Sequence, residues 1–388
     1  MPVISGPSAG VVGIPVTFKA TATDPEGDSV AFQFDWGDTI AQAWLSFIAS
    51  GETLAATHTY SDTGAYSVKV KAKDQNGKAG GWSLGKALGI LTAGGSYPDS
   101  VYAEIPTANG GYAGAITPDG KYLYAASGRG AMTVTPIRLA DRAALSAITL
   151  EADPEDIVAS IDATHMFVSL PGANKVVAIR TSDQAIDLEA SVLYSPQELA
   201  VTPDGQFVIV AVRGPGYLLI LRAQDLGVVD TIRPYTYVGH IIMDRQGEYA
   251  YGTVDGGVMV FALASHSVAD SIMQITNPGS LGLSRDGDHL YVGSRDDTGF
   301  VVINLPDRTV EARLDVGEKD IRDFASTTDD DYMMFSYLRG VEYVDTRTYS
   351  VVDSLVLTGE NRRALVMHPN ADTMYVIGWN KVYIVGPR

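Results

Sequence analysis

Ile-Thr-Pro-Asp-Gly-Lys-Tyr-Leu-Tyr-Ala-Ala-Ser, residues 116–127, returns almost unchanged at residues 202–212 as Thr-Pro-Asp-Gly-Gln-Phe-Val-Ile-Val-Ala-Val. Weaker copies occupy residues 160–169, 244–252, 284–293, 327–336 and 368–378. With Asp119 as the mark, the copies fall at Asp119, Asp162, Asp204, Gln246, Asp286, Asp329 and Asn370, at intervals of 43, 42, 42, 40, 43 and 41 residues. A period near forty that carries strands and turns, with no helical apolar spacing, predicts one four-stranded blade of a β-propeller per copy, seven in all.

The third copy shows the blade. Leu199-Ala-Val is a short apolar strand, Pro203-Asp-Gly a turn that needs a residue able to take positive φ, and Phe207-Val-Ile-Val-Ala the next strand. Tyr217-Leu-Leu-Ile-Leu and Val228-Val-Asp-Thr-Ile complete it. The runs are short and rich in β-branched and aromatic residues.

Composition bounds the rest. A chain of 388 residues exceeds one ordinary core and should divide into domains. Cysteine is absent, which removes disulfides, thiolate metal sites and a cysteine nucleophile. No apolar run is long enough to span a membrane as a helix. With 46 acids against 28 bases, the net charge of −18 disfavours nucleic acid and anionic membrane as partners. The start, Met1-Pro2-Val3, is not a signal peptide; the expectation is an extracellular or cell-surface protein whose signal peptide has been removed.

Residues 1–93 lie outside the repeat. They alternate as strands at Val16-Thr-Phe-Lys-Ala-Thr-Ala-Thr, Val30-Ala-Phe-Gln-Phe-Asp-Trp and Ala65-Tyr-Ser-Val-Lys-Val-Lys-Ala-Lys, which predicts a small antiparallel β-sandwich. The words Asp35-Trp36-Gly37-Asp38 and His58-Thr59-Tyr60, followed by Gly64-Ala65-Tyr66-Ser67-Val68, resemble the PKD domain, an immunoglobulin-like module of secreted and surface proteins. The link at residues 39–57 is longer than that resemblance leads one to expect, leaving room for an extra strand or a binding loop. Asp24, Glu26, Asp28, Asp35 and Asp38 are the candidates for a Ca²⁺ site, since hard cations collect carboxylate oxygens. The favoured alternative is that these are turn residues bonding their own backbone.

Residues 94–98 read as a small, flexible linker before a propeller at 99–388. Residues 100–106 match the last strand of later blades yet precede the first turn, while the seventh copy ends after three strands. The strand from Val101 to Ile105 is therefore expected to pair with the strand from Val382 to Val385, closing the ring so that no long edge is left unpaired. The repeat, with its Pro-Asp-Gly-Lys-Tyr-Leu-Tyr core and Val-Val-x-x-Ile strand, resembles the YVTN family of seven-bladed propellers. That resemblance implies a surface-layer or secreted protein of archaea or bacteria, often with PKD domains on the same chain. The second, sixth and seventh copies depart from it at the turn glycine, with Ala163, Asp330 and Ala371.

Function should lie on the rim opposite the acidic turns. There the second-to-third-strand turns carry Arg129, Lys175, Arg213, Arg295, Arg339 and Lys381, with only the Asp255-Gly-Gly turn lacking a base. Leaning inward, they would ring one channel mouth with positive charge suited to carboxylate, sulfate or phosphate. The competing reading pairs them with Glu155, Asp156, Glu198, Asp320 and Glu360 on neighbouring turns as ties between blades. Tyr112, Tyr235, Tyr237 and Trp379 add aromatic surface.

Catalytic groups are harder to assemble. Of six histidines only His240 is placed to reach the channel, and no Gly-x-Ser-x-Gly elbow or phosphate loop is present. The primary expectation is a monomeric, non-catalytic protein without a cofactor. Its propeller would be a rigid disc for a protein or glycan and its PKD-like domain a spacer or adhesion module. The alternative is a hydrolase or lyase of small sugar acids or lactones, with His240 as base and Arg213, Arg295 and Arg339 as anion clamp.

Overall fold

The computed structural model describes every residue except 8, 39–41, 92–96, 215, 235, 296–298, 318–319, 358–363, 370–371 and 388. Tyr235, Glu360, Asn370, Ala371 and linker positions 94–96, named above, lie outside the described residues. The described chain is all-β, with one 3₁₀ turn at Pro171–Ala173 and no helix long and apolar enough to cross a membrane. It forms two compact units, one of Met1–Gly95 with Asp345–Val352, the other of Ser96–Val344 with Asp353–Arg388.

In the first unit, strands Val3–Ser5, Val16–Thr21 and Thr53–His58 make one sheet. Ala9–Val11, Lys86–Leu91, Gly64–Asp74 and Val30–Asp35 make a second, in that order. Period-two patterning drives them together: Val16, Phe18 and Ala20 are buried while Thr17 and Lys19 face water. At the centre Trp36 stacks between Phe34, centroids 5.0 Å apart, and His58, 4.9 Å apart. Tyr60 donates its hydroxyl to the Trp36 carbonyl at 2.8 Å, and burial beside Asp38 and Asp35 drives its phenol well above the usual range. His58 Nε2 meets Asp38 Oδ2 at 2.5 Å. The two sequence words are thus one packed cluster. The 39–57 segment lays Trp44 and Phe47 beside Lys71 and Lys73, with Lys73 Nζ 4.6 Å from the Trp44 ring.

The second unit holds seven successive sheets among the described residues. Their innermost strands are Gly111–Ile116, Ile157–Ala159, Pro196–Val201, Ile241–Met243, Pro278–Leu283, Asp323–Ser326 and Ala364–Met367. Each lies against the innermost strand of the next sheet, and Ala364–Met367 against Gly111–Ile116, so they surround a central channel. The second and third strands of each sheet are almost wholly buried, as in Phe207–Val212 and Tyr217–Arg222. Outer strands such as Thr309–Asp315 alternate. In the last sheet Ser100–Pro106 pairs antiparallel with Lys381–Gly386, with Val382 opposite Ile105 and Val385 opposite Val101. The first sheet departs from the pattern: its outer strand is broken into Ala143–Ala144 and Ile148–Thr149.

Tyr97 and Pro98, expected as the end of a flexible linker, are instead packed. The Tyr97 ring lies 4.5 Å from Tyr332 and 4.6 Å from Tyr343, and Tyr343 donates its hydroxyl to the Pro98 carbonyl. Burial raises the Tyr97 phenol to about 12.

The repeated turn owes its shape to a side-chain clasp. Thr117 donates to Asp119 Oδ1 at 2.7 Å, and that carboxylate accepts the Lys121 N–H at 3.1 Å. Ser160 and Asp162, Thr202 and Asp204, Ser284 and Asp286, and Thr327 and Asp329 repeat the contact. In the fourth sheet, where Gln246 replaces the aspartate, Asp244 takes the threonine position and accepts the Glu248 N–H itself. Gly120 and Gly205 sit at φ 69 and 72°, and Ala163 and Asp330 keep that left-handed backbone at φ 61 and 60°.

Candidate functional site

Six residues before each turn mark stand Ala113, Asp156, Glu198, His240, Ser280, Asp323 and Ala364, on the innermost strands or, for Asp156 and His240, immediately before them. Pairing with the second strands keeps these positions in register: Ile157 faces Val168, Leu199 Val210, Ile241 Gly252 and Phe324 Phe335. One column of the repeat therefore carries four ionisable groups round the channel.

Two of the four are structural. Asp156 accepts the N–H of Leu199 on the next inner strand at 2.8 Å, and Asp323 likewise accepts that of Leu365 at 2.8 Å. Each also accepts the N–H of its own successor, Ile157 or Phe324. An inner strand turns an open edge to the channel, and these carboxylates satisfy amides that no neighbouring strand reaches. Burial pushes Asp156 up to about 6, with Glu155 adding repulsion, and Asp323 up to about 7, with Asp156 adding to it.

Glu198 and His240 are not absorbed in this way. Glu198 makes no hydrogen bond among the described residues; its nearest partner is His240, with Oε2 and Nε2 3.7 Å apart and both side chains 25% exposed. Among the described residues His240 Nδ1 is buried without a partner. Burial, then Asp156, Glu155 and Asp323, lift the Glu198 carboxyl well above the usual range, opposed by Arg295. Burial, then the Arg295 charge, holds the His240 imidazole down at about 4, so it is neutral at physiological pH.

These groups open on a cavity of about 840 Å³ at the channel mouth, also lined by Tyr112, Glu155, Arg213, Tyr237, Arg295 and Asp320. Tyr112 donates to Glu155 at 2.7 Å, the Arg213 guanidinium lies 5.8 Å from the Tyr237 ring centre, and Arg322 pairs with Asp320. Of the residues expected at this mouth, the fold brings Arg213, Arg295, Tyr112, Tyr237 and His240 together. The others do not line this cavity. Lys175 binds Glu151 at 2.7 Å and Glu189 at 3.0 Å, and Lys381 binds Glu104 at 2.6 Å. Arg129 lies 5.4 Å from the Trp379 ring centre, and Arg339 is exposed outside the cavity. Lys175 and Lys381 use Glu189 and Glu104 of outer strands, and Lys175 also uses Glu151 in the connection between the first and second sheets; none of these is an acid proposed as their partner. Sequence reasoning does not reach Asp323 and names Asp156 and Glu198 only as possible partners of the turn bases; the column six residues before the marks is the signal that finds all three.

Comparison with known families and structures adds the following. A family match covers residues 3–82. Those residues are a PKD domain. No curated protein matches the chain. Among solved structures, the chain is similar to hydrazine synthase of Kuenenia stuttgartiensis at 16% identity and a TM-score of 0.65, covering 72% of this chain and 96% of that one. It is also similar to the β-propeller domain of Cps50 (Swd1) of Myceliophteria thermophila at 13% identity and a TM-score of 0.66, covering 75% and 100%. At such identities the likeness shows a β-propeller fold and nothing of function.

In the PKD domain two of the five calcium candidates, Asp24 and Asp35, bond their own turns, and a third, Asp38, holds a histidine. Asp24 Oδ1 accepts the N–H groups of Glu26 and Asp28 at 3.0 and 3.1 Å, Asp35 that of Gly37 at 3.0 Å, and Asp38 holds His58. Among the described residues no three His, Asp or Glu side chains converge as metal ligands.

Proposed function

We infer that the protein is a non-catalytic binding protein of the cell exterior, a PKD spacer or adhesion module followed by a seven-bladed propeller of the YVTN kind. Its ring is closed by Ser100–Pro106 in the last blade, and it engages a protein or glycan at the channel mouth. PKD domains are typical of extracellular proteins, which supports the location. The observation that carries the reading is the mouth cavity itself, where Arg213, Arg295, Tyr112 and Tyr237 converge on one large concavity. Cationic forks and aromatic faces together suit acidic sugars or acidic peptide segments.

The test is binding of the full chain to panels of anionic glycans and acidic peptides, beside the Arg213→Ala/Arg295→Ala double variant. Salt-sensitive binding lost in the variant supports the reading, and binding that survives the double change moves the working surface away from this mouth.

A second reading, a hydrolase or lyase of small sugar acids or lactones, draws on the His240–Glu198 approach of 3.7 Å in the same cavity. The arrangement places an imidazole and a carboxyl beside two guanidinium groups that would clamp an anion, although an imidazole held at about 4 is a weak base at neutral pH. Turnover of a lactone or uronic-acid substrate that disappears in His240→Gln would favour it.

A further inference from the structure

We propose that the channel mouth holds a small zwitterion, its ammonium between Glu198 and His240 and its carboxylate on Arg213 and Arg295. This deepens the reading above and rests on the mouth being the working face.

Of the four ionisable groups in the inner-strand column, Asp156 and Asp323 are spent on the amides of Leu199 and Leu365. Glu198 and His240 occupy the same repeat position in adjacent sheets and do no such work among the described residues: Glu198 takes no hydrogen bond, and His240 Nδ1 is buried without a partner while Nε2 faces Glu198. Both side chains are 25% exposed on the cavity, so a ligand there can reach Glu198 Oε2 and His240 Nε2 without displacing any strand-edge bond. A nitrogen bearing protons fits between Oε2 and Nε2, since atoms 3.7 Å apart both come within hydrogen-bond distance of one donor placed between them. Asp156, Glu155 and Asp323 add negative potential at Glu198, which a cation relieves.

The opposite pole is supplied by the turns. Arg213 and Arg295 follow the second strands of the third and fifth sheets, are exposed, and line the same cavity. Their forks match a carboxylate. Ammonium on the inner strands and carboxylate on the turns use both sets of charge, whereas a simple anion leaves the acids unrelieved and a simple amine leaves the guanidinium groups unused.

The experiment is calorimetric titration of the full chain with ω-amino acids from glycine to 6-aminohexanoate, beside the monoamine and monocarboxylate of each length. At one length the zwitterion should bind at least about ten-fold more tightly than either singly charged analogue. Glu198→Gln and Arg295→Ala should each weaken it by about ten-fold or more, with unchanged far-ultraviolet dichroism, while Lys121→Ala on the opposite rim leaves it intact. His240→Gln gives a further arm should Glu198→Gln fail to fold. No binding at any length, equal binding of the monocarboxylate, or binding that survives Glu198→Gln and Arg295→Ala overturns the proposal. Glycan or peptide binding that depends on Arg213 and Arg295 while every ω-amino acid fails sinks the zwitterion alone and leaves the broader reading standing.

Discussion

His240 Nε2 and Glu198 Oε2 face each other at 3.7 Å from the same repeat position in adjacent sheets. Their protonation has opposite consequences for stability. His240, held at about 4 against an ordinary 6.5, disfavours the fold as the pH falls through that window, because the unfolded chain takes the proton first. Asp323 at about 7, Asp156 at about 6 and the raised Glu198 work the other way: the folded state takes up protons that the unfolded chain does not hold until near pH 4.

Three acids against one histidine predict that stability rises as the pH falls from 7.5 to 5, by about 1–2 kcal/mol once screening by cavity water is allowed for. Paired surface aspartates such as Asp162, held below their usual value, lose their contribution only at lower pH. Urea unfolding across this range should show the rise, Glu198→Gln should shrink it and His240→Gln should enlarge it. A stability that falls steadily from pH 7.5 to 5 would show that the column does not carry these shifts.

Asp323→Ala should cost about 1–3 kcal/mol, because it strands the amides of Leu365 and Phe324. Asp323→Asn keeps an acceptor and should cost less. The same order is expected at Asp156, where Leu199 and Ile157 are the donors. Equal losses for Ala and Asn at both sites would mean that the carboxylates do not serve the strand edges.

Ala163 and Asp330 both stand where other turns have glycine, but for different reasons. Ala163→Gly should stabilise by about 0.5–1 kcal/mol, since a left-handed alanine costs roughly 1–2 kcal/mol and glycine returns part of that as entropy. Asp330→Gly should destabilise: its carboxylate accepts the Arg285 and Asp286 N–H groups at 2.6 and 2.5 Å. Thermal melts of the two variants read the contrast directly.

Ser100–Pro106 forms the outer strand of the last sheet through its pairing with Lys381–Gly386. If this closes the ring, a chain starting at residue 96 should unfold cooperatively like the parent propeller. One starting at residue 107 should melt many degrees lower or aggregate through its open edge. Indistinguishable melts would remove closure from the strand's role.

Much of this was legible in the sequence, and the remainder failed for identifiable reasons. The forty-residue period and the Asp-Trp-Gly-Asp and His-Thr-Tyr words announced the two folds because strand period and turn chemistry are local. The direction of Lys175 and Lys381 was not local. Lys175 sits opposite Ser191 and Lys381 opposite Pro106, so the acids within reach are Glu189 and Glu104, two residues away on the same face of each outer strand. Only the register reveals that both point away from the channel. Asp323 belongs to no repeated turn, and only its place in the repeat column, six residues before Asp329, marks it.

The central claim, that the channel mouth keeps Glu198 and His240 free for a ligand, is tested most directly by the ring ¹³C–¹H resonances of the six histidines, with His240 assigned from His240→Gln. His240 should stay a neutral imidazole from pH 7.5 to 5, titrate near 4, and shift on addition of the best-binding ω-amino acid at pH 7. A midpoint near 6.5 and a resonance indifferent to every such ligand would contradict it.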